Sequence, residues 1–324
     1  MLPIKDARLA AANFFLTSPN LKKHEYEKNS ALLDADILLS FLLKKERSWL
    51  LSHSDFDISE LKNEFETLKQ KRFKGLPIAY LTGEKYFYGK KFYVTPAVLI
   101  PKPDTETLVE RLCVYMQNKL QKDGTANFFI LDMCTGSGCI GISAACELNS
   151  LLNKKFKNNE IEKKTFIKNK FALMLADISE EALTISKKNM QELLPKELKE
   201  RTRIIKTDLR KPFPVFENNI YGIITANPPY IPSKLTEELL ADGRGEPRLA
   251  LDGGEAGLDL IKPLTENAFA ALSANGKIFT EIGEYHSNAA ADIFKQAGFI
   301  NISVIKDLSG KDRIIEAEKP AGTI

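Results

Sequence analysis

The strongest constraint on the fold is a regular alternation of apolar and helical segments that begins at Phe128. Apolar runs stand at 128–132, 171–176, 203–207, 221–226 and 277–282, and helical patterns begin near 138 and span 179–193 and 287–297. Such alternation predicts a parallel sheet covered by helices. The last two apolar segments, 300–305 and 313–317, flank a turn at 309–312 and predict an antiparallel hairpin. We therefore expect an α/β domain whose mostly parallel sheet ends in antiparallel strands.

The region before this alternation has a different pattern. Apolar residues recur at helical spacing from the N-terminus to about Lys74, which predicts a small helical bundle. Aromatic segments on both sides of Gly89 predict a β-hairpin, and Pro101, with Asp104 as a helix cap, marks the start of the next domain. We therefore expect a helical domain at 1–83, a hairpin linker at 84–100 and an α/β domain at 101–324.

Composition and charge narrow the classes of function. The chain has 324 residues and a net charge of +3, so its charge does not require a nucleic-acid or membrane partner. Its apolar runs are far shorter than the roughly 18 residues that a transmembrane helix needs. The segment 153–170 has seven lysines against two glutamates and is expected to be a solvated insertion. We expect a cytoplasmic protein that acts as a monomer, without direct contact to nucleic acid or membrane.

The cysteines and histidines indicate neither a metal site nor a nucleophilic triad. The three histidines lie far in the sequence from any motif serine or cysteine, so a triad hydrolase is not expected. The spacing of the cysteines does not fit zinc coordination, and we expect reduced, buried thiols and no metal. These cysteines are Cys113, Cys134, Cys139 and Cys146.

A glycine-rich loop follows the first strand of the alternation. The segment DMCTGSG (132–138) joins this strand to an apolar helix, and its glycines let a ligand approach the backbone and the helix N-terminus. Gly136, Gly138 and Gly141 also satisfy the G-x-G-x-x-G pattern of dinucleotide-binding proteins. Asp132 would attract a positively charged sulfonium ligand and repel a pyrophosphate. The loop therefore favours S-adenosylmethionine, with a nicotinamide cofactor as the alternative.

Two aspartates end the next two strands. Asp177 can accept both hydroxyl protons of a ribose, or it can merely cap the helix that starts near Ser179. Asp208 can accept from an exocyclic adenine amine, or it can be a turn aspartate. Both positions suit the nucleoside part of the same ligand.

The most specific motif is NPPY (227–230), which directly follows the strand at 221–226. Ligands of parallel sheets bind beyond the carboxyl ends of the strands, so the motif is expected to face the crevice. The side-chain oxygen of Asn227 and the carbonyl of Pro228 can both accept from a planar NH₂ group. Pro228 and Pro229 hold these acceptors rigidly, and the Tyr230 ring can stack on a flat amide or base. We therefore expect Asn227, Pro228, Pro229 and Tyr230 to be the catalytic and substrate-binding residues of a methyl transfer.

In their order, these motifs resemble those of the bacterial release factor glutamine N5-methyltransferases of the PrmC/HemK type, and the resemblance covers nearly the whole chain. The matching segments are GLP (75–77), YLTG (80–83), PKPDTE (101–106), DMCTGSG (132–138), DIS (177–179), NPPYI (227–231), EPRLALDGG (246–254), EIG (281–283) and DLSGKDR (307–313). The chain departs from the family pattern at Lys102, Cys134 and His286, where arginine, glycine and glutamine are usual. The gap between Asp132 and Asp177 is also long.

The resemblance implies a seven-strand, Rossmann-like class I methyltransferase domain that uses S-adenosylmethionine, preceded by a helical domain that recognises the substrate. It implies methyl transfer to N5 of the glutamine in the Gly-Gly-Gln loop of class 1 peptide chain release factors, the expected partners, with S-adenosylhomocysteine as the second product. The implied cofactor-binding residues are Asp132, Cys134, Thr135, Gly136, Ser137, Gly138, Asp177, Asp208, Leu209 and Asn227.

A nucleic-acid adenine N6-methyltransferase is the main alternative. Adenine also presents a planar NH₂ group, which the two acceptors of the NPPY motif, here called the clamp, could bind equally well. The low net charge and the lack of a recognisable DNA- or RNA-reading module favour a protein substrate. A nicotinamide-dependent enzyme and a non-catalytic binding protein are further alternatives. The latter predicts an altered clamp, which this sequence does not have.

Overall fold

The computed structural model describes residues 1–22, 26–123, 126–157, 159–215, 220–241 and 243–322. The α-helices in these ranges are α1 (Ile4–Leu16), α2 (Pro19–Lys22), α3 (Lys28–Leu43), α4 (Arg47–Ser52), α5 (Lys62–Phe73), α6 (Ile78–Thr82), α7 (Pro103–Lys122), α8 (Cys139–Phe156), α9 (Glu160–Lys170), α10 (Glu180–Leu193), α11 (Lys196–Glu200), α12 (Ser233–Leu240), α13 (Ile261–Ala271) and α14 (Ser287–Gln296). The strands are β1 (Glu84–Phe87), β2 (Lys90–Tyr93), β3 (Phe128–Met133), β4 (Phe171–Asp177), β5 (Thr202–Lys206), β6 (Tyr221–Ala226), β7 (Leu272–Glu281), β8 (Ile300–Lys306) and β9 (Asp312–Glu318).

The chain divides into two compact units. Unit 1 comprises Met1–Glu84 together with Glu237–Glu246, and unit 2 comprises Lys85–Thr236 together with Pro247–Ile324. In the described part of the chain, no helix is both long enough and apolar enough to cross a membrane.

Unit 1 is a helical bundle with its own apolar core. Ile4, Ala11 and Phe15 of α1 are buried at helical spacing and pack with the buried face of α3. The bundle also buries the Asp36 carboxylate completely, where it accepts hydrogen bonds from Arg8 and from Arg47 Nε (2.9 Å). A buried carboxylate is tolerated because it is paired in this way.

Unit 2 is built on a seven-stranded sheet in the order β5-β4-β3-β6-β7-β9-β8. The neighbours from β5 to β7 are parallel, and β9 pairs antiparallel with both β7 and β8. This confirms the predicted α/β sheet with its antiparallel end and the seven strands that the family resemblance implied. The chain runs from β3 to one side of the sheet and returns to β6 on the other, so the strand order reverses beside β3.

Both faces of this sheet are covered, which explains why the central strands are apolar throughout. Successive side chains of a strand point to opposite faces. Phe128 and Ile130 of β3 therefore lie in one core cluster, whereas Phe129 and Leu131 lie in the other.

The predicted solvated insertion at 153–170 is exposed at most of its described positions, but it is helical and a few of its residues are buried. The first part of this segment completes α8 and the last part forms α9, which begins after Asn159 as its cap. Phe166 of α9 is buried against Phe128 and Phe156, with ring centroids 6.3 Å and 5.8 Å apart. The helical pattern of α9 was not recognised in the sequence, because only a few apolar residues form its buried face and lysines surround them.

The sequence predicted Asp104 as the N-terminal cap of α7, and this prediction is wrong. The residue before α7 is Lys102, and Pro103 occupies the first turn, where its missing N–H costs nothing. Asp104 lies in that first turn, where its negative charge favours the helix N-terminus, and it faces Arg313 Nη2 at 3.5 Å.

Candidate active site

A cavity of about 700 Å³ lies in unit 2 at the carboxyl ends of the central strands. Its wall includes residues that follow β3 (133–137), β4 (177–179), β5 (207–210) and β6 (Asn227 and Pro229), together with residues of 96–99 and 247–254. This is the place where the strand order reverses beside β3, the usual ligand position in open α/β sheets. The predicted glycine loop, both strand-end aspartates and part of the NPPY motif thus surround one cavity.

The loop after β3 turns sharply at residues with positive φ. Gly136 has a φ of +54°, and a Cβ atom built on it would meet no atom within 4 Å, so its backbone is open to a ligand. Gly138 has a φ of +81°, and its Cβ would lie 2.6 Å from Ile142 Cδ1 in α8. Cys134 has a φ of +58°, the left-handed region that favours glycine. Glycine, which the resemblance implies at this position, adopts this conformation without strain.

Asp132 is buried beneath this loop and fixes it by hydrogen bonds. Its side chain is completely buried, and Oδ2 accepts from Thr135 Oγ1 (2.6 Å) and from the Gly141 N–H (3.1 Å). Its Oδ1 accepts from Thr225 Oγ1 of β6 (2.7 Å). Burial raises the pKa of this carboxyl to about 6. Asp132 is not among the described residues that line the cavity, and its role as a cofactor ligand stays a prediction.

Asp177 lines the cavity at the end of β4. Its Oδ2 accepts from the Gly136 N–H (2.9 Å) and its Oδ1 from the Ser179 N–H (3.0 Å). Burial raises its pKa. The cap of α10 is Ser179, whose hydroxyl oxygen accepts from the Ala182 N–H, so Asp177 does not serve as the helix cap. The carboxylate instead ties the glycine loop to β4 while facing the cavity.

Asp208 and Leu209 follow β5 and also line the cavity. Asp208 accepts from the Arg210 side chain at distances from 2.6 to 3.0 Å and from the Arg210 N–H at 2.9 Å. The Arg210 side chain thereby lowers the pKa of Asp208. The backbone contact is that of a turn aspartate, which was the alternative to adenine binding. Leu209 is buried and presents an apolar wall.

The NPPY motif leaves β6 at the cavity wall. Asn227 and Pro229 line the cavity, whereas Pro228 is buried and is not among the described lining residues. Tyr230 is not among those lining residues either, and its hydroxyl donates to Glu281 Oε1 (2.8 Å). Burial, aided by this carboxylate, raises the pKa of Tyr230 well above its ordinary value. Tyr230 is therefore a neutral phenol with a fixed orientation.

A second segment fixes the motif from the other side. Ile231 donates its N–H to the Leu251 carbonyl (2.9 Å) and accepts from the Gly253 N–H (2.8 Å). A Cβ atom on Gly253 would lie 2.7 Å from the backbone of Pro229 and Tyr230, so only glycine permits this approach. The segment 247–254 thus acts as a backing for the motif and forms part of the cavity wall.

A buried polar cluster lies behind the motif. Glu281, at the end of β7, is almost fully buried and accepts from both Thr105 Oγ1 (2.6 Å) and Tyr230. Arg313 donates to the Tyr230 oxygen (3.4 Å) and to Asp307 Oδ2 (3.1 Å). Burial raises the pKa of Glu281. The two segments EIG and DLSGKDR therefore meet at Tyr230.

Sequence reasoning assigned no role to several residues of the cavity wall. Val98 and Leu99 precede α7 in a stretch without a motif, so no signal could have found them. Leu249 lies in a segment that carried the family resemblance, but its position on the wall follows only from the fold.

Comparisons with known proteins agree with this architecture. A family model described as the PrmC N-terminal domain matches residues 18–83. A second, described as an RMKL-like methyltransferase domain, matches residues 110–240. A solved methyltransferase structure from Pyrococcus furiosus is 16% identical, with a TM-score of 0.41 over 80% of this chain and 99% of that chain, a likeness too low to carry an argument.

Curated relatives match over most of the chain. The release factor glutamine methyltransferase of Clostridium acetobutylicum is 35% identical over 288 residues, which cover 88% of this chain and 90% of that protein. The protein of the same name from Leptospira interrogans is 35% identical over 297 residues, which cover 91% of this chain and 93% of that protein. With this identity over nearly the full length of both chains, the protein belongs to the release factor glutamine methyltransferase family.

Proposed function

We propose that the protein transfers a methyl group from S-adenosylmethionine to the side-chain amide nitrogen, N5, of the glutamine in the Gly-Gly-Gln loop of class 1 peptide chain release factors. The observation that carries this proposal is the position of Asn227 and Pro229 on the wall of the cavity that the glycine loop and Asp177 also line. Family membership supports the substrate.

The residues around the cavity suit an adenosyl ligand. Ser137 lines the cavity with a buried hydroxyl that can bond to a polar ligand. Gly136 leaves open space in front of its backbone, and Asp177 and Leu209 supply an acidic and an apolar contact. We assign cofactor binding to the loop 134–138, with Asp177 toward the ribose and Asp208 and Leu209 toward the adenine.

When bound, S-adenosylmethionine supplies an electrophilic methyl group on a positively charged sulfur. The amide nitrogen of the substrate glutamine is a poor nucleophile, because its lone pair is delocalised into the carbonyl. The protein must therefore hold this nitrogen in line with the methyl group. Asn227 Oδ1 and the Pro228 carbonyl would each accept one N–H of the substrate amide and thereby fix its plane. Correct orientation alone is worth about 7 to 11 kcal/mol in well-aligned intramolecular reactions. The methyl group replaces one amide hydrogen, which leaves as a proton.

We assign substrate recognition to the helical domain at 1–83, joined by the hairpin linker at 84–100 to the catalytic domain at 101–324. The match of residues 18–83 to the PrmC N-terminal domain supports this assignment. We further propose that the protein acts in the cytoplasm as a monomer, without direct contact to nucleic acid or membrane.

Labelled S-adenosylmethionine tests this function. The purified protein is incubated with a class 1 release factor, with the same factor carrying Gln→Ala in its Gly-Gly-Gln loop, and with adenine-containing DNA and RNA. We expect label only on the unaltered release factor. Equal labelling of the altered factor would overturn the substrate assignment, and label on nucleic acid alone would establish the adenine N6-methyltransferase instead.

Asn227→Ala tests the role of the NPPY motif. We expect turnover to fall below detection while S-adenosylmethionine still binds in calorimetry, because the side chain removed is the one that orients the substrate amide. Asn288→Ala, at an exposed position of α14, is the matched control and should keep full activity. An Asn227→Ala enzyme with the wild-type rate would contradict the proposed clamp.

A further inference from the structure

A chain of hydrogen bonds leads from the cavity wall into the buried cluster behind the NPPY motif. Asn227 Nδ2 lies 3.4 Å from Thr105 Oγ1, and Thr105 Oγ1 lies 2.6 Å from Glu281 Oε2. Thr105 is in the first turn of α7 and is almost fully buried. Asn227 and Thr105 both lie on the cavity wall, whereas Glu281 is not among the described lining residues.

The direction of these hydrogen bonds follows from the chemistry of each group. The Glu281 carboxylate accepts from Thr105, so Thr105 gives its single hydroxyl proton to Glu281. The Thr105 oxygen can then only accept, and the group of Asn227 that faces it must be an N–H donor. The other end of the amide, Oδ1, consequently points away from Thr105.

A second series of hydrogen bonds, from Arg313 through Tyr230, also donates toward Glu281. Tyr230 gives its hydroxyl proton to the other carboxylate oxygen, Glu281 Oε1, at 2.8 Å. Its oxygen accepts from Arg313 Nη1 at 3.4 Å. The hydroxyl protons of Thr105 and Tyr230 thus both go to Glu281, so neither hydroxyl has a second proton for its other neighbour.

We propose that Thr105 and Glu281 are positioning residues that set the side-chain amide of Asn227 with its oxygen toward the substrate and its NH₂ group toward the protein interior. This inference rests on the proposed function. An amide turned the other way would present two donors to the NH₂ group of the substrate, and the two would repel each other. A clamp built on asparagine needs such a device, because the two ends of the amide have nearly the same shape.

Thr105→Val and Thr105→Ser form the test pair. Valine keeps the shape of threonine and removes the hydroxyl, whereas serine keeps the hydroxyl. We expect Thr105→Val to lower kcat about tenfold, the loss of one well-placed hydrogen bond, with little change in the KM for S-adenosylmethionine. Thr105→Ser should stay within about threefold of the wild type. A Thr105→Val enzyme within about twofold of the wild-type kcat would overturn the proposal.

A measurement on the folded wild-type protein needs neither turnover nor a stable Thr105 variant. The side-chain NH₂ of Asn227 is observed by NMR after ¹⁵N-asparagine labelling and is assigned by its absence in Asn227→Ala. We expect its hydrogen exchange to be slower than that of the exposed Asn288 side chain, and Thr105→Val should remove this protection. Exchange as fast as that of Asn288 in the wild type would refute the hydrogen-bond chain, even where Thr105→Val fails to fold.

The two readouts separate this inference from the proposed function. If the wild type does not methylate release factors, the function fails, while the exchange of the Asn227 amide still reports on its orientation. If the wild type methylates them and Thr105→Val does so equally well, only the positioning role fails.

Discussion

Asp132→Asn should change how stability depends on pH. The carboxyl group is completely buried, and burial raises its pKa to about 6 from an ordinary value of 3.8. Between these values the folded protein binds more protons at Asp132 than the unfolded chain does. The free energy of unfolding therefore falls as the pH rises through the folded pKa. Between about pH 4.5 and pH 7.5 this linkage removes roughly 2 kcal/mol of stability.

Asparagine has nearly the same shape and does not ionise, so the variant lacks this loss. Its oxygen can still accept from Thr135 and Gly141, but its NH₂ group then faces the Thr225 hydroxyl, which must turn its proton elsewhere. This costs about 1 kcal/mol at every pH. Relative to the wild type, the free energy of unfolding of Asp132→Asn should rise by about 2 kcal/mol across the range.

Urea unfolding followed by circular dichroism at four pH values measures this difference. Asp292→Asn, at an exposed position of the same unit, controls for the loss of one negative charge. A difference between Asp132→Asn and the wild type that is the same at all four pH values would refute the reasoning.

Two further pairs of variants test the packing around the cavity and in α9, both by thermal or urea unfolding. Gly141→Ala places a Cβ 2.8 Å from Leu175 Cδ2 and should cost about 1 to 3 kcal/mol, whereas in Gly222→Ala the nearest atom is 3.6 Å away and the change should stay within about 0.5 kcal/mol. Equal stabilities of these two would contradict the close contact behind the loop. Phe166→Ala should cost about 3 kcal/mol, and Ile161→Ala, at a position that is 80% exposed, should cost almost nothing. A Phe166→Ala protein as stable as the wild type would show that α9 does not pack on the core, as expected for a solvated insertion.

The sequence predicted the sheet well because each central strand is a continuous apolar run bounded by turn residues. The sheet has an apolar core on each of its two faces, so nearly every residue of a central strand must be apolar. A continuous apolar run of this kind is visible in the sequence itself. The helix α9 was missed for the opposite reason. Its core contacts come from Phe166 and Ile167, and the lysines around them dominate the pattern. The short α12 and the helix α13 were not predicted either.

The candidate site was predictable where its residues follow strands. The carboxyl ends of parallel strands meet at one edge, so the glycine loop, Asp177 and Asn227 were expected to lie together, and they line one cavity. Partners far apart in the sequence were not predictable. Thr105 and Glu281 are separated by 176 positions, and only the fold brings their side chains to 2.6 Å. The placement of 237–246 with unit 1 likewise had no signal in the sequence.

The most direct test of the central claim is to locate the methyl group on the product. A release factor is incubated with the protein and S-adenosylmethionine, digested, and its Gly-Gly-Gln peptide is fragmented in a mass spectrometer. We predict the mass of one added methyl group on the glutamine side chain with the wild type, and none with Asn227→Ala. A methyl group on any other residue of the release factor, or an unmodified glutamine after complete reaction, would contradict the account.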